Sequence, residues 1–103
     1  MSQFSVYVNP NTDTAGAFPY LVDVQNQLLA NLSTRIVIPL ANSSADDAIT
    51  NLCPVIKIKN QCCVLLTQQI ACIPASVLQT SVCSIEKQRY EILNALDFAI
   101  TGI

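Results

Sequence analysis

The hydrophobic residues of this chain change their spacing once, close to Ser84. Before that point they fall in short runs bounded by turn residues, which is the pattern of β-strands. After it the apolar residues recur at helical spacing, at Ile85, Ile92, Leu93, Leu96, Ala99 and Ile100. The sequence therefore predicts a mainly β fold in which an antiparallel sheet packs against one C-terminal α-helix.

Six segments carry the strand pattern: 4–8, 20–25, 35–40, 55–59, 62–67 and 70–73. Segment 35–40 is apolar on both faces, so we expect a strand covered on both sides until Pro39 disturbs its pairing. Segments 55–59 and 62–67 predict a hairpin that turns at Asn60 and Gln61.

The polar stretches between these runs predict loops. Residues 9–16 are expected to form a loop or hairpin tip, and 42–51 a surface loop or short helix. Residues 25–32 are interpreted as a loop that carries Leu28 and Leu29. For the terminal helix, Ser84 is the expected N-cap, Glu86 suits the first turn, and Gly102 suits the C-terminal cap.

The size and low charge of the chain indicate one domain with a partner. A chain of 103 residues fits a single domain over 1–103, large enough to fold without a metal or a disulfide. Only 12% of its residues are charged while 51% are hydrophobic, so apolar groups must cover part of the surface. Because apolar patches mark interfaces, this composition favours a homodimer or a permanent partner.

The formal net charge of −2 disfavours direct nucleic-acid binding, which depends on clustered cations. Among the five basic residues only Lys57 and Lys59 lie together, and they are interpreted as a solvated strand face. Absence of an N-terminal signal pattern and of a long apolar stretch favours a cytoplasmic protein without a membrane segment.

The five cysteines do not follow a metal-binding pattern. Their number is odd, there is no C-x-x-C spacing and no histidine, so the common zinc patterns fail and no cofactor is expected. We interpret them as small hydrophobic residues in strands, with reduced thiols. They are Cys53, Cys62, Cys63, Cys72 and Cys83.

Seven strings in register resemble the CcdB family of bacterial toxins. They are QFSVY at 3–7, LVDVQ at 21–25, RIVIPL at 35–40, CPVIKI at 53–58, LT at 66–67, IPASV at 73–77 and TGI at 101–103. The resemblance spans nearly the whole chain.

The resemblance implies a barrel-like fold shared with the Kid and MazF toxins, with a five-stranded antiparallel sheet, a C-terminal helix and a two-fold homodimer. It implies a toxin that is not an enzyme, binds the A subunit of DNA gyrase and traps the enzyme on cleaved DNA. A cognate CcdA-like antitoxin is expected to neutralise it through a segment that is disordered when free. Contact with DNA is then expected only through the antitoxin complex, in which toxin and antitoxin co-repress transcription.

The family's gyrase contact lies at the end of the C-terminal helix and in the loop after the second strand. Thr101 stands where the family pattern has tryptophan. From residue chemistry alone, Gly102 equally suits a helix end, whereas the carboxylate of Asp97 opposes the helix dipole at a cost of about 0.3–1 kcal/mol. The positions carried over from the family are Thr101, Gly102, Ile103, Asp97, Asn26 and Leu28.

Two other functions remain open at this point. One is a ribonuclease of the Kid or MazF type, for which Arg35 and Thr34 are the only candidates for a catalytic arginine and its hydroxyl partner. Acid–base catalysis normally uses histidine, which this chain lacks. The other is a divergent homologue that binds the antitoxin but no longer poisons gyrase. Asp23, in the middle of a strand, is interpreted as a structural acceptor or an outward-facing residue.

Overall fold

The computed structural model describes residues 3–29, 31–42 and 52–102. The expected loop or helix at 42–51 lies almost wholly outside the described residues, as does Ile103. The strands are β1 (Ser5–Val8), β2 (Tyr20–Asp23), β3 (Thr34–Asn42), β4 (Val55–Ile58), β5 (Gln61–Leu65), β6 (Ala71–Pro74) and β7 (Ser81–Ser84), followed by helix α1 (Arg89–Thr101). Short 3-10 turns lie at Gln27–Leu29, Thr67–Gln69, Ala75–Val77 and Glu86–Gln88.

The strands form one antiparallel sheet that curls into a half-barrel, in the order β4-β5-β3-β2-β1-β7. β6 pairs with the first half of β3, beside the stretch of β3 that pairs with β5. The predicted mainly β class with one C-terminal helix is confirmed. The predicted number of five strands is wrong, since the described part of the chain contains seven.

The strand that none of the six predicted segments includes is β7, whose sequence SVCS has too few apolar residues to stand out by alternation. It is held by its pairing with β1, which joins Ser5 to Ser84 and Val6 to Cys83. The pattern of apolar side chains therefore does not reveal β7, because this strand is held by backbone hydrogen bonds to β1.

Pro39 does not end its strand. β3 continues to Asn42, and Pro39 lies opposite Leu21 in the register with β2. On its other side the carbonyl of Pro39 accepts a hydrogen bond from Leu66 N at 3.0 Å, at the point where the chain leaves β5 for the 3-10 turn Thr67–Gln69. Pro39, which has no N–H to donate, thus lies where β3 passes from its pairing with β6 to its pairing with β5. The pairing before and after Pro39 is therefore preserved.

The predicted hairpin is confirmed, with its turn one residue earlier than expected. Ile58 pairs with Gln61, so Lys59 and Asn60 form a two-residue loop. Both have positive φ, 50° and 66°, as a type I′ turn requires. Lys57 and Lys59 are exposed, as expected of a solvated strand face.

Two cores lie on opposite faces of the sheet. The larger contains even-numbered residues of β1 to β3, among them Val6, Val22 and Ile38, and is covered by α1 through the fully buried Ile92. The smaller contains Tyr7 and Val37 and is covered by Leu78. Segment 35–40 is thus covered on both sides, as predicted.

Helix α1 starts later than its sequence suggests. Ser84 Oγ accepts a hydrogen bond from Glu86 N at 3.3 Å, but the N-cap position of the 3-10 turn Glu86–Gln88 is Ile85 and that of α1 is Gln88. The prediction of Ser84 as the N-cap of the helix is therefore wrong, and the α-helix begins at Arg89. The delay arises because Ile85 is still bound to the sheet, its N–H donating to Phe4 O. The predicted apolar stripe packs on the sheet at Ile92 but is exposed at Ile100, where the helix passes the sheet and meets the turn Thr67–Gln69.

Candidate functional site

The loop after β2 displays an apolar side chain to solvent. We call its 3-10 turn, Gln27–Leu29, the Leu28 turn, because the side chain of Leu28 is 89% exposed. Asn26 shapes the turn: its Oδ1 accepts from Leu28 N at 2.8 Å and its carbonyl accepts from Leu29 N at 2.9 Å. The side chain of Leu28 therefore lies in solvent on a turn whose shape the bonds of Asn26 fix.

A buried polar cluster lies beside this turn. Asp23 and Arg35 are 0% and 1% exposed, and Oδ2 of Asp23 lies 2.9 Å from Nε and 2.7 Å from Nη2 of Arg35. Oδ1 of Asp23 accepts from Gln25 N at 3.0 Å. Of the two interpretations of Asp23, the structural acceptor is the one confirmed. The two charges can be buried because each is paired with the other.

Tyr7 lies in the same region, in the smaller core. Burial raises the pKa of its phenol, and the nearby Asp23 carboxylate raises it further, while Arg35 and a hydrogen bond with Ser5 act in the opposite direction. The neutral phenol is therefore the form that the folded chain prefers.

This shift predicts a loss of stability in alkali. The folded state binds the phenol proton of Tyr7 more tightly than the unfolded chain does, so protonated Tyr7 stabilises the fold. This stabilisation is complete below pH 10, the ordinary pKa of tyrosine, and is lost as the pH rises through the raised pKa of the folded state. Urea midpoints measured between pH 9 and 12 should fall less steeply for Tyr7→Phe than for the intact chain. Tyr90→Phe is the matched control, since Tyr90 is 74% exposed, and equal slopes for all three proteins would contradict this prediction.

The other half of the predicted site is the end of α1. Gly102 has the left-handed conformation, with φ of 75°, and its N–H donates to Phe98 O at 2.9 Å, so its expected role as a C-terminal cap is confirmed. The hydroxyl of Thr101 folds back and donates to the carbonyl of Asp97 at 2.6 Å. Asp97 itself is exposed, and Ile103 lies outside the described residues.

The structure thus groups the predicted residues into two patches. Asn26 is joined to Leu28 in one patch, and Asp97 to Thr101 in the other. The main contacts of α1 are with the turns Thr67–Gln69 and Glu86–Gln88, and the Leu28 turn is not among them. Within one chain the two patches belong to separate elements.

Beside the helix end lies an apolar groove that sequence reasoning missed. It has a volume of about 320 Å³ and contains Ile70, Ile100 and the buried Thr67. Ile100 is 79% exposed, and Thr67 Oγ1 has no hydrogen-bond partner in the described part of the chain. The exposure of Ile100 has no signal in the sequence, because its spacing matches the buried stripe.

The cysteines behave only partly as expected. All five are free thiols, and Cys53 and Cys63 are buried. Burial raises the pKa of Cys63, with a smaller contribution from Cys62. Four of the five lie in strands, as predicted: Cys62, Cys63, Cys72 and Cys83. Of these four only Cys63 is buried, and Cys53 lies in a bend before β4 and not in a strand.

Metal binding and membrane crossing are considered for residues 3–29, 31–42 and 52–102, the part of the chain that the structure describes. Within these ranges no three or more histidine, cysteine, aspartate or glutamate side chains are grouped so that they could hold a metal ion. In the same ranges the structure has no helix of the length and apolar character that membrane crossing requires.

Comparison with protein-family models matches this chain to the family described as CcdB protein, over residues 3–102. The match includes the strands, the Leu28 turn and α1, and it reaches the helix cap at Gly102. It agrees with the curled antiparallel sheet and single terminal helix of the structure. This chain therefore belongs to the CcdB family and is a type II toxin of the CcdB kind.

Proposed function

We propose that this toxin binds the A subunit of DNA gyrase and traps the gyrase–DNA cleavage complex, acting by docking and not as an enzyme. The observation that carries the proposal is the outward display of Leu28, an apolar side chain held 89% exposed on a bonded turn. Large apolar side chains kept in water are typical of binding surfaces. Family membership makes gyrase the natural target of this surface.

The end of α1 is proposed as the second half of the gyrase contact. Asp97 has an exposed carboxylate one turn before the cap at Gly102. Because this negative charge opposes the helix dipole, Asp97 does not stabilise the helix that carries it. Thr101, Gly102 and Ile103 complete the proposed contact. The hydroxyl of Thr101 is used within the helix, so the methyl group of Thr101 is proposed as the part that meets the partner.

A homodimer is proposed because it would bring copies of the two patches together. The groove with Ile70 and Ile100 supports this arrangement, since a second chain there would cover two exposed apolar side chains. A polar group of that chain would also supply a partner for Thr67 Oγ1. Sedimentation at micromolar concentration tests the proposal, and a monomer mass would reject it.

The whole sequence, 1–103, is proposed to act as a single cytoplasmic toxin domain that a cognate CcdA-like antitoxin neutralises. DNA contact and transcriptional co-repression are proposed to occur only through the antitoxin complex. Rescue of growth by the co-expressed antitoxin is the check, and growth arrest that no cognate antitoxin relieves would reject this part.

The ribonuclease alternative loses its candidate residue. Arg35 is 1% exposed and its guanidinium is paired with Asp23, so it meets an RNA phosphate only if a buried ion pair breaks. Thr34 is half-buried in the same strand. Arginine that acts on RNA must reach the substrate, and here it stabilises the fold.

The test replaces Leu28 by alanine and measures gyrase supercoiling and cleavage with purified components. We expect about 10- to 100-fold weaker inhibition, because a buried leucine side chain is worth about 1.5–3 kcal/mol. Tyr90→Ala is the control, as it removes another exposed large side chain, at the N-terminal end of α1 and outside the proposed contact.

The outcomes separate the alternatives. Inhibition unchanged in Leu28→Ala would reject the proposed contact. Degraded cellular RNA without gyrase–DNA adducts would indicate a ribonuclease. An intact chain that binds antitoxin yet leaves gyrase active would indicate the divergent homologue.

A further inference from the structure

We propose that Gln25 is a positioning residue, whose buried side chain holds the Leu28 turn in the orientation that presents Leu28 to the target. This inference rests on the proposed function of Leu28. It assigns a role to a residue that touches no target itself.

The side chain of Gln25 bridges two elements. It is 2% exposed, and both ends of its amide bind backbone groups. Its Nε2 donates to the carbonyl of Leu29 at 2.8 Å, and its Oε1 accepts from Ile36 N in β3 at 3.1 Å. One buried side chain thus connects the last residue of the turn to the centre of the sheet.

The backbone of Gln25 is fixed by the ion pair beneath it. Its N–H donates to Asp23 Oδ1 at 3.0 Å, while Oδ2 of the same carboxylate binds Arg35. A continuous series of bonds therefore runs from Arg35 through Asp23 and Gln25 to Leu29. The two bonds to Asp23 are buried and the two made by the Gln25 amide are partly buried, so losing this side chain leaves Ile36 N with restricted access to water.

The bonds made by Asn26 and Gln3 act differently from those of Gln25. Those made by Asn26 fix the internal shape of the turn but not its position on the sheet. A link from Gln3 N to the Gln27 side chain, at 3.1 Å, is exposed, so water competes for it. An apolar side chain in water gains by collapsing onto the protein, and the bond from Gln25 opposes this collapse at the end of the turn.

The experiment is a double-mutant cycle on binding to purified gyrase A subunit, with Gln25→Met, Leu28→Ala and the double variant. If Gln25 acts through Leu28, Gln25→Met alone weakens binding about tenfold, and the double variant binds no more weakly than Leu28→Ala. In hydrogen exchange without gyrase, the amides of Leu29 and Leu32 should exchange faster in Gln25→Met, while the β4–β5 ladder is unchanged.

Two further variants keep the test decisive. Gln25→Glu retains an oxygen to accept from Ile36 N but places a charged carboxylate oxygen opposite the Leu29 carbonyl, so it should release the turn at least as strongly as Gln25→Met and is measured beside it. Ile56→Val lowers stability in the β4–β5 hairpin, far along the sheet from the turn, and should leave gyrase affinity unchanged.

The results distinguish this inference from the function on which it rests. Additive losses in the double variant, or unchanged exchange at Leu29, overturn the role of Gln25 and leave the docking function intact. Normal binding by Leu28→Ala overturns both.

Discussion

Replacing Arg35 by methionine is expected to lower the free energy of unfolding by about 3–5 kcal/mol, because it leaves the Asp23 carboxylate buried without its partner. A domain of this kind is stable by about 5–15 kcal/mol, so the variant would be partly unfolded at 37 °C. Asp23 is 0% exposed, and in the variant its carboxylate keeps only the hydrogen bond from Gln25 N. One hydrogen bond does not offset the cost of removing a full negative charge from water. Urea unfolding followed by circular dichroism measures the loss.

The control removes both charges together. Asp23→Asn combined with Arg35→Met keeps an oxygen to accept from Gln25 N and eliminates the unpaired carboxylate. We expect it to recover more than half of the loss, since a neutral pair of similar volume avoids the desolvation penalty. Nη1 of Arg35, which has no hydrogen-bond partner among the described residues, is also removed. A double variant as unstable as Arg35→Met alone would contradict the explanation.

The fold class could be predicted because it depends on periodicity. Alternation identified the centres of β1 to β6, and the change of spacing after Ser84 identified α1. The sequence could not predict β7, because its pairing uses backbone groups that every residue possesses. Nor could it predict where α1 begins, because the delay depends on a bond between Ile85 and Phe4, eighty residues away along the chain.

The candidate site was predictable in its residues but not in its geometry. Gly102 could be identified as a cap because glycine adopts the left-handed conformation without strain. The LVDVQ string marked a segment of interest, yet its meaning as a buried series of bonds required the positions of Arg35 and Ile36. Exposure was hardest to predict, since Leu28 and Ile100 are as apolar as core residues and only tertiary packing leaves them in water.

Deleting Thr101, Gly102 and Ile103 is expected to abolish growth arrest and gyrase–DNA adducts, the largest functional effect of any change considered. The deletion removes all of the proposed contact at the helix end except Asp97, whereas Leu28→Ala removes one side chain. Loss of the fold does not explain such an effect. The deletion places the chain carboxylate at Ile100, still within α1, which costs about 0.3–1 kcal/mol against the helix dipole.

Three comparisons make this deletion informative. Unfolding of the shortened chain should stay cooperative, with a midpoint close to that of the intact protein. Ile103→Asp keeps the cap at Gly102 and changes only the proposed apolar end, so it should reproduce most of the loss of adducts. Tyr90→Ala, at the opposite end of the helix, should remain toxic. Growth arrest that survives the deletion would move the damaging surface away from α1, and the Leu28 turn would then have to account for the toxicity by itself.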